Sequence, residues 1–446
     1  MKVIDNKALV LKTKRPHLIT EQVDDYKILN EVDGVYKIAV PWRLHEAQVL
    51  AGLRVKEVPS PMTRDYSYTG RYEPFDHQKE TASFLTLHKK AFCFNEQGTG
   101  KTASVIWAVD YLMQQDKVKR VLVICPLSIM KSAWQEDLFK FAMHRSCSVA
   151  HGTSEQRKKI LNAGAEFVII NFDGVAVVKD EIINGGFDVI VVDEANAYKN
   201  TQTNRWKTLR DITANTTWLW MLTGTPAAQS PVDAFGLAKL VNAKNAPKYY
   251  GQFRDKVMHK VSQFTWRPKP EANEIVHEVL QPAIRFEKDQ CLDLPSVTYV
   301  EREAPLTKQQ ASYYKRLKDR MTMEADGEQV TSVNAATNLN KLLQISGGAV
   351  YTDDRQVIEF DVSNRLNVVK EVIDESSHKV LVFVPFTHTI ELLNDFLVKS
   401  KIPCKIISGK VSVNKRSDII KDFQETDSSA YHTATSSVTR SNFNRS

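Results

Sequence analysis

The sequence lacks the features of several protein classes. Its five cysteines are scattered, with no C-x-x-C pair, which argues against a zinc ribbon and a disulfide framework and fits a reducing compartment. No apolar run approaches the length of a membrane span, and the N-terminus has no apolar signal region. We therefore expect no membrane partner and a protein that stays in the cytoplasm where it is made.

Charge and composition set only broad bounds. A chain of 446 residues has room for two or three domains, and 42% hydrophobic with 25% charged residues is an ordinary balance. The net charge of +7 fits a polyanionic partner. Because many enzymes carry as much charge, this excess alone does not indicate nucleic acid.

The pattern along the chain predicts an α/β fold. Residues 1–66 alternate in short stretches such as Val35–Val40, which predicts a small β-rich N-terminal segment. From about residue 90, short apolar runs such as Val121–Ile124 and Val189–Val192 alternate with helical patterns such as Ala103–Met113. This alternation predicts a parallel sheet covered by helices, whose ligands bind beyond the carboxyl ends of the strands.

Four further boundaries follow from changes in pattern. The first α/β lobe is predicted at 67–245, and 246–365 reads as a mainly helical linking region. A second α/β unit begins at 366 and continues to 424. The segment 425–446 is rich in Ser and Thr without apolar periodicity, which predicts a disordered tail. The apolar patterns around Trp107, Trp134, Trp218 and Trp220 predict core positions for these indoles.

A phosphate-binding loop is predicted at Asn95–Thr102. The segment follows a strand and opens a helix, and glycines let its backbone wrap a phosphate closely. Lys101 is placed to meet the β- and γ-phosphates, and the Thr102 hydroxyl to bind magnesium. A plain strand-turn-helix connection is the alternative, which G-x-G-K-T after a strand disfavours. Asn95 stands where the common pattern has glycine.

A carboxylate pair follows the predicted strand Val189–Val192. Asp193 is suited to hold magnesium through water, and Glu194 to orient and polarise an attacking water. Such a pair is weak evidence alone, but it is strong about 90 residues after a phosphate-binding loop. The base reader of a GTPase is not found, since Asn340–Leu343 lacks the required aspartate.

Together these motifs resemble superfamily two helicases, specifically the Swi/Snf-type DNA translocases, and among them the short proteins of phages and bacteria. The resemblance covers about residues 70–424 and rests on the following segments: Gln78, Glu96–Thr102, Cys125–Ser128 with Trp134, Asp193–Asn200 and Leu222–Ala227. It implies a RecA-like P-loop NTPase lobe, a helical linker and a second RecA-like lobe. It also implies ATP and magnesium as cofactors, DNA as partner, and host cytoplasm if the protein is phage-encoded.

The resemblance also assigns roles to residues. Gln78 corresponds to the glutamine that reads adenine, and Thr223, Gly224 and Thr225 to the segment that couples nucleotide state to DNA. The remaining nucleotide contacts are Glu96, Gln97, Gly98, Thr99, Gly100, Lys101 and Thr102. Ser128, Lys131 and Asn171 lie in segments expected to touch the phosphate backbone without marked base preference. For Lys131, a solvated helix residue is an equally good interpretation.

Two departures from the family pattern matter. Asn196 replaces the usual histidine, which affects the expected coupling to the third motif, Leu222–Ala227. The family's fifth and sixth motifs include a G-x-N-L stretch and a Q-x-x-x-R-x-x-R helix. Neither is found after Gln424, so we expect an incomplete second lobe. A frameshift, a split gene or a partial sequence each fits, with a second chain or downstream segment supplying the missing motifs.

The preferred function is therefore ATP hydrolysis coupled to movement along DNA or to its remodelling. A strand-separating helicase and an ATP- and DNA-binding protein with little hydrolysis remain alternatives.

Overall fold

The computed structural model describes residues 1–227, 229–262, 265–292, 297–327, 332–351, 356–376, 378–425 and 431–435. The chain divides into two compact units, Met1–Leu294 and Pro295–Ser446. Within the described residues, no helix combines the length and the apolar character needed to cross a membrane.

The first unit opens with a four-stranded antiparallel sheet of order β1-β2-β4-β3. Alternation along the strands buries Leu9 and Leu11 of β2 and Ile38 and Val40 of β4 on one face. The elements are β1 (Lys2–Ile4), β2 (Ala8–Thr13), α1 (His17–Thr20), β3 (Lys27–Val32), β4 (Val35–Pro41), α2 (Leu44–Gly52) and α3 (Met62–Asp65).

The rest of the first unit is a helix-covered lobe. Its elements are α4 (Asp76–Leu87), β5 (Lys90–Cys93), α5 (Lys101–Gln114), β6 (Val121–Cys125), α6 (Glu136–Phe141), β7 (Cys147–Ala150), α7 (Ser154–Asn162), β8 (Phe167–Asn171), α8 (Phe172–Val177), α9 (Lys179–Asn184), β9 (Val189–Asp193), α10 (Asn204–Ile212), β10 (Trp218–Leu222), α11 (Ala234–Val241), α12 (Tyr250–Val257), β11 (Met258–Lys260), β12 (Trp266–Pro268), α13 (Ala272–Val279), β13 (Ala283–Ile284) and α14 (Lys288–Cys291). Short 3-10 turns occupy Leu127–Ile129, Ala195–Tyr198 and Pro231–Asp233, and a π-helical turn occupies Met130–Gln135.

Seven parallel strands form the sheet of this lobe, in the order β13-β5-β10-β9-β6-β8-β7. Every residue of β6, β8 and β10 is buried, because helices cover both faces. Side chains of alternate residues enter two different cores, Ile190 and Val192 on one face and Val189 and Val191 on the other. This confirms the predicted α/β fold. The four indoles Trp107, Trp134, Trp218 and Trp220 are buried, as expected.

The first lobe extends well past residue 245, so that predicted boundary is wrong. The edge strand β13 pairs with β5, and Phe253 of α12 and Val279 of α13 lie in the lobe's core. A two-residue strand carries no apolar run, so periodicity could not reveal that the chain returns to the sheet. The region predicted as mainly helical also contains the β11–β12 hairpin.

The second unit starts before residue 366, the position predicted for the second lobe. Its elements are α15 (Lys308–Gly327), α16 (Ser332–Gly347), β14 (Ala349–Tyr351), β15 (Val357–Glu359), α17 (Ser363–Glu375), β16 (Leu381–Val384), α18 (Thr387–Lys399), β17 (Cys404–Ile407), α19 (Val413–Glu425) and β18 (Tyr431–Thr435). Ile373, Leu393 and Leu397 form a small core beside β16 and β17.

The prediction of a disordered tail is wrong for Tyr431–Thr435. This segment forms β18, the central strand of a parallel sheet of order β16-β18-β17. Its sequence has no apolar run, and its partners lie far away in the chain, so local pattern could not detect it. Residues 426–430 and 436–446 of the predicted tail lie outside the described residues.

Candidate active site

Three neighbouring strands of the first lobe end at the same level. In β10, Leu222 pairs with Cys93 of β5 on one side and with Asp193 of β9 on the other. The segments that follow these strands therefore begin at one edge of the sheet. This register brings together the predicted phosphate loop, the carboxylate pair and the third motif.

The loop between β5 and α5 is folded tightly around a lysine. Gly98 and Gly100 adopt φ values of 86° and 79°, a left-handed backbone that glycine accepts readily. The Lys101 ammonium donates hydrogen bonds to the carbonyls of Asn95 (2.8 Å) and Glu96 (3.0 Å). Because α5 begins at Lys101, its first amides are available to an anion at this loop.

Helix α4 supports the loop from behind. His77 is buried, and its Nε2 lies 2.8 Å from the Thr99 carbonyl oxygen. The side-chain Nε2 of Gln78 donates to the same carbonyl at 3.3 Å. A Cβ on Gly100 would lie only 2.0 Å from Gln78 Nε2. Because this nitrogen ends a flexible side chain that can move aside, it is the left-handed backbone that requires glycine at position 100, and Gln78 lies against the phosphate loop.

Asn95 replaces the expected glycine by acting as a bridge. Its side chain is fully buried, donates to Thr81 Oγ1 of α4 at 2.8 Å, and accepts from the Phe286 amide at 3.1 Å. The neighbouring Glu96 carboxylate accepts from the Lys288 amide at 3.0 Å. The unusual asparagine was visible in the sequence, but its partner almost 200 positions later was not.

The carboxylate pair is held by an indole. Asp193 Oδ2 accepts a hydrogen bond from Trp134 Nε1 at 3.0 Å, and Asp193 Oδ1 accepts from the Glu194 amide at 2.9 Å. Glu194 has a left-handed backbone, with φ of 51°. Trp134 therefore does more than fill the core, because its N–H orients the carboxylate predicted to hold magnesium.

Burial raises the pKa of the Glu194 carboxyl, and the negative charge of Asp193 raises it further. The Lys101 ammonium opposes this shift, which indicates that all three charges interact. A raised pKa makes a carboxylate a stronger proton acceptor. The environment therefore suits Glu194 for the role predicted from its position.

The third motif contacts both of the other segments. A Cβ placed on Gly224 would lie 3.6 Å from the Gln97 amide nitrogen, so this turn lies directly beside the phosphate loop. The Thr223 hydroxyl accepts from the Thr225 amide at 3.3 Å. Asn196 Nδ2 donates to the Thr225 carbonyl at 2.5 Å and to its hydroxyl at 3.2 Å. Asn196 thus links the segment Asp193–Asn200 to the third motif, in place of the usual histidine.

The expected DNA-contact residues lie at the carboxyl ends of β6 and β8, at the same edge of the sheet. Cys125 and Asn171 are in register. Lys131 is exposed and Ser128 is half-buried in the turn after β6. Asn171 is buried, and its side-chain oxygen accepts from Arg157 Nη1 at 2.9 Å. Asn171 thus holds a guanidinium rather than presenting its own side chain.

The residues present fit a nucleotide with a magnesium ion. Two glycines shape the cradle, and a lysine lies within it. Thr102 and Asp193 offer the oxygen donors that magnesium prefers. Among the described residues, no group of three or more metal-ligating side chains occurs. Magnesium here would depend on these two side chains together with water and phosphate oxygens.

A glycine-rich loop after one parallel strand and a carboxylate pair after another define a P-loop nucleotide-binding lobe of RecA-like type. Residues 77–350 match the family model of the SNF2-related domain, and residues 364–441 match that of the helicase conserved C-terminal domain. The chain belongs to the SNF2-related family.

Similar proteins come from bacteria, animals and phages. An uncharacterized ATP-dependent helicase of Mycoplasma genitalium is 25% identical over 74% of this chain, and mouse chromodomain-helicase-DNA-binding protein 1-like is 26% identical over 74%. The chain spans only 31% and 38% of the lengths of those two relatives. Putative protein p41 of Acyrthosiphon pisum secondary endosymbiont phage 1 is 23% identical, and the match spans 74% of this chain and 76% of p41.

Among solved structures, the chain is similar to a Sulfolobus solfataricus SWI2/SNF2 ATPase core in complex with double-stranded DNA. The TM-score is 0.46 at 22% identity, covering 83% of this chain and 79% of the other.

Proposed function

We propose that this protein hydrolyses ATP with magnesium, that DNA stimulates the reaction, and that hydrolysis drives movement along DNA or its remodelling. The observation that carries the proposal is the meeting of Lys101, Asp193 and Glu194 at one edge of the sheet. Membership of the SNF2-related family supports the same activity.

The chain's own residues account for binding and proton transfer. Lys101 exchanges its contacts with two loop carbonyls for the β- and γ-phosphates, and the first amides of α5 add partial positive charge. Gln78 contacts the adenine. Thr102 and Asp193 would hold magnesium, which would neutralise phosphate charge. Glu194 accepts the proton of the attacking water.

DNA is the partner that charge and position favour. Ser128 and the exposed Lys131 contact phosphates, and Asn171 assists by holding Arg157 near them. The net charge of +7 and the DNA-binding name of the mouse relative support this partner. The link from Asn196 to Thr225 lets the state of the nucleotide site reach the third motif.

The test compares two variants in ATP turnover and nucleotide binding. We expect Lys101→Ala to remove most binding or turnover, because Lys101 is the one lysine in the loop Asn95–Thr102 and its ammonium lies against the loop carbonyls. We expect Glu194→Gln to keep binding but slow hydrolysis strongly, because the amide cannot accept a proton. The exposed Lys117, changed to Ala, is the matched control.

Turnover of Lys101→Ala equal to that of the wild type would remove the phosphate-loop assignment. If binding and turnover fall together in Glu194→Gln, Glu194 supports the structure or the metal instead. DNA affinity should be similar for unrelated duplexes and should fall steeply with salt.

A further inference from the structure

A basic groove of about 950 Å³ lies on the N-terminal sheet of the first unit. Six cationic side chains line it: Lys2, Lys12, Lys14, Arg15, Lys37 and Lys56. No aspartate or glutamate lines the groove, and all six cations are exposed. The whole chain has a net charge of only +7, so this groove holds an unusual concentration of positive charge.

The cations of the groove lack acidic partners. None of the six forms an ion pair with a carboxylate of the described residues, although many other lysines and arginines of the same unit do. Lys12 of β2 and Lys37 of β4 even lie directly opposite each other in the antiparallel register. Like charges in this arrangement destabilise a sheet. An anion bound between these lysines would relieve their repulsion.

The groove is firmly attached to the nucleotide-binding lobe. Leu50 of α2 and Leu87 of α4 share one hydrophobic core. The Ser60 and Thr86 hydroxyls are 2.7 Å apart, and Gln48 donates to the Thr86 carbonyl at 2.9 Å. Helix α4 also carries Gln78 beside the phosphate loop. Anything bound in the groove is therefore held in a fixed position relative to the ATP site.

We propose that this groove binds the phosphodiester backbone of DNA, as a contact separate from the one at the edge of the sheet. The proposal rests on the proposed function for the identity of the polyanion. The groove contains no aromatic side chain on which a base could stack, so it reads charge and not sequence.

The test uses the full chain with Lys12→Gln and Lys37→Gln combined. These positions are exposed, and the change removes a like-charge pair, so the fold should be retained. The matched control is Lys117→Gln with Lys119→Gln, which removes the same charge just before β6, at the opposite edge of the sheet from the phosphate loop. Affinity for a short labelled duplex is measured by fluorescence anisotropy over a salt series without nucleotide.

Affinity falls as salt rises, so a plot of log affinity against log salt has a negative slope. We expect this slope to be less steep by about 1.8 in the groove variant, because each lost phosphate contact contributes about 0.9. The control should match the wild type in slope. ATP turnover without DNA should be unchanged in both, because neither pair touches the nucleotide site.

A slope unchanged from the wild type would overturn the proposal, as would a loss in the control equal to that in the groove variant. Loss of binding to phosphatidylserine-containing vesicles, with the DNA slope retained, would overturn it in favour of a membrane. If the groove variant loses slope but the wild type shows no ATP turnover, the proposed function fails while the groove assignment stands. If turnover is DNA-stimulated but the slope is unchanged, only the groove assignment fails.

Discussion

Gly236 of α11 allows this helix to pack directly on the segment that follows the carboxylate pair. A Cβ at Gly236 would lie 2.1 Å from the Lys199 carbonyl oxygen and 2.8 Å from that of Tyr198. A second contact also fixes Gly236, because its carbonyl accepts a hydrogen bond from Trp206 Nε1 at 2.9 Å. Gly236→Ala must therefore separate the helix from main-chain atoms that cannot rotate away.

The expected cost follows from two opposing terms. Overpacking costs typically about 1–3 kcal/mol, and a clash with backbone belongs at the upper end. Replacing glycine by alanine within a helix returns roughly 0.5–1 kcal/mol. We therefore expect Gly236→Ala to lower the free energy of unfolding of the first unit by about 2 kcal/mol.

Urea unfolding followed by tryptophan fluorescence measures this change. All seven tryptophans lie in the first unit, so the signal follows that unit even when the whole chain does not unfold in one step. With a urea dependence of about 3 kcal/mol per molar, the midpoint should fall by about 0.7 M. Gly251→Ala in α12 is the control, because its Cβ would meet nothing within 4 Å.

An unchanged or raised midpoint for Gly236→Ala would refute the reasoning. It would mean that α11 does not approach Lys199 as closely as the structure shows. A similar fall in the urea midpoint of Gly251→Ala would show that alanine lowers stability without any clash, so the clash at Gly236 would not be the cause.

Three further predictions concern the candidate active site. Because burial raises the pKa of Glu194, turnover should be full above that pKa and should fall as the pH drops through it. A pH–rate profile should show this fall at a higher pH than an ordinary glutamate would give. Glu194→Gln should lack this acidic fall in rate. Trp134→Phe should raise the magnesium concentration needed for half-maximal turnover by roughly ten-fold or more, because it removes a donor to Asp193 and a hydrogen bond to a charged group contributes about 1.5–3 kcal/mol. Trp107→Phe, which loses a hydrogen bond to the remote Thr69 carbonyl, is the control, and equal shifts in the two variants would contradict the idea. Asn196→Ala should keep turnover without DNA but reduce its stimulation by DNA, since both bonds to Thr225 are lost; a retained stimulation ratio would show that this link does not couple the sites.

The local sequence pattern was sufficient to predict the features that depend on residues close together in the chain. A P-loop needs a strand, two glycines, a lysine and a helix within a short segment, and all of these are adjacent in the chain. The buried strands were likewise visible, because burial on both faces demands uninterrupted apolar runs. Fold class and the position of the glycine-rich loop between β5 and α5 could therefore be read from the sequence.

Only the tertiary structure decided how distant segments meet. The bridge from Asn95 to Phe286, the bond from Trp134 to Asp193 and the return of β13 to the sheet edge each join positions far apart in the chain. The same holds for β18, which lies between two strands that precede it. Local periodicity contains no information on such pairings, because they depend on which edges and donors the packed chain leaves open. The basic groove could not be predicted from the sequence for the same reason, because the register of β2 and β4 places Lys12 opposite Lys37.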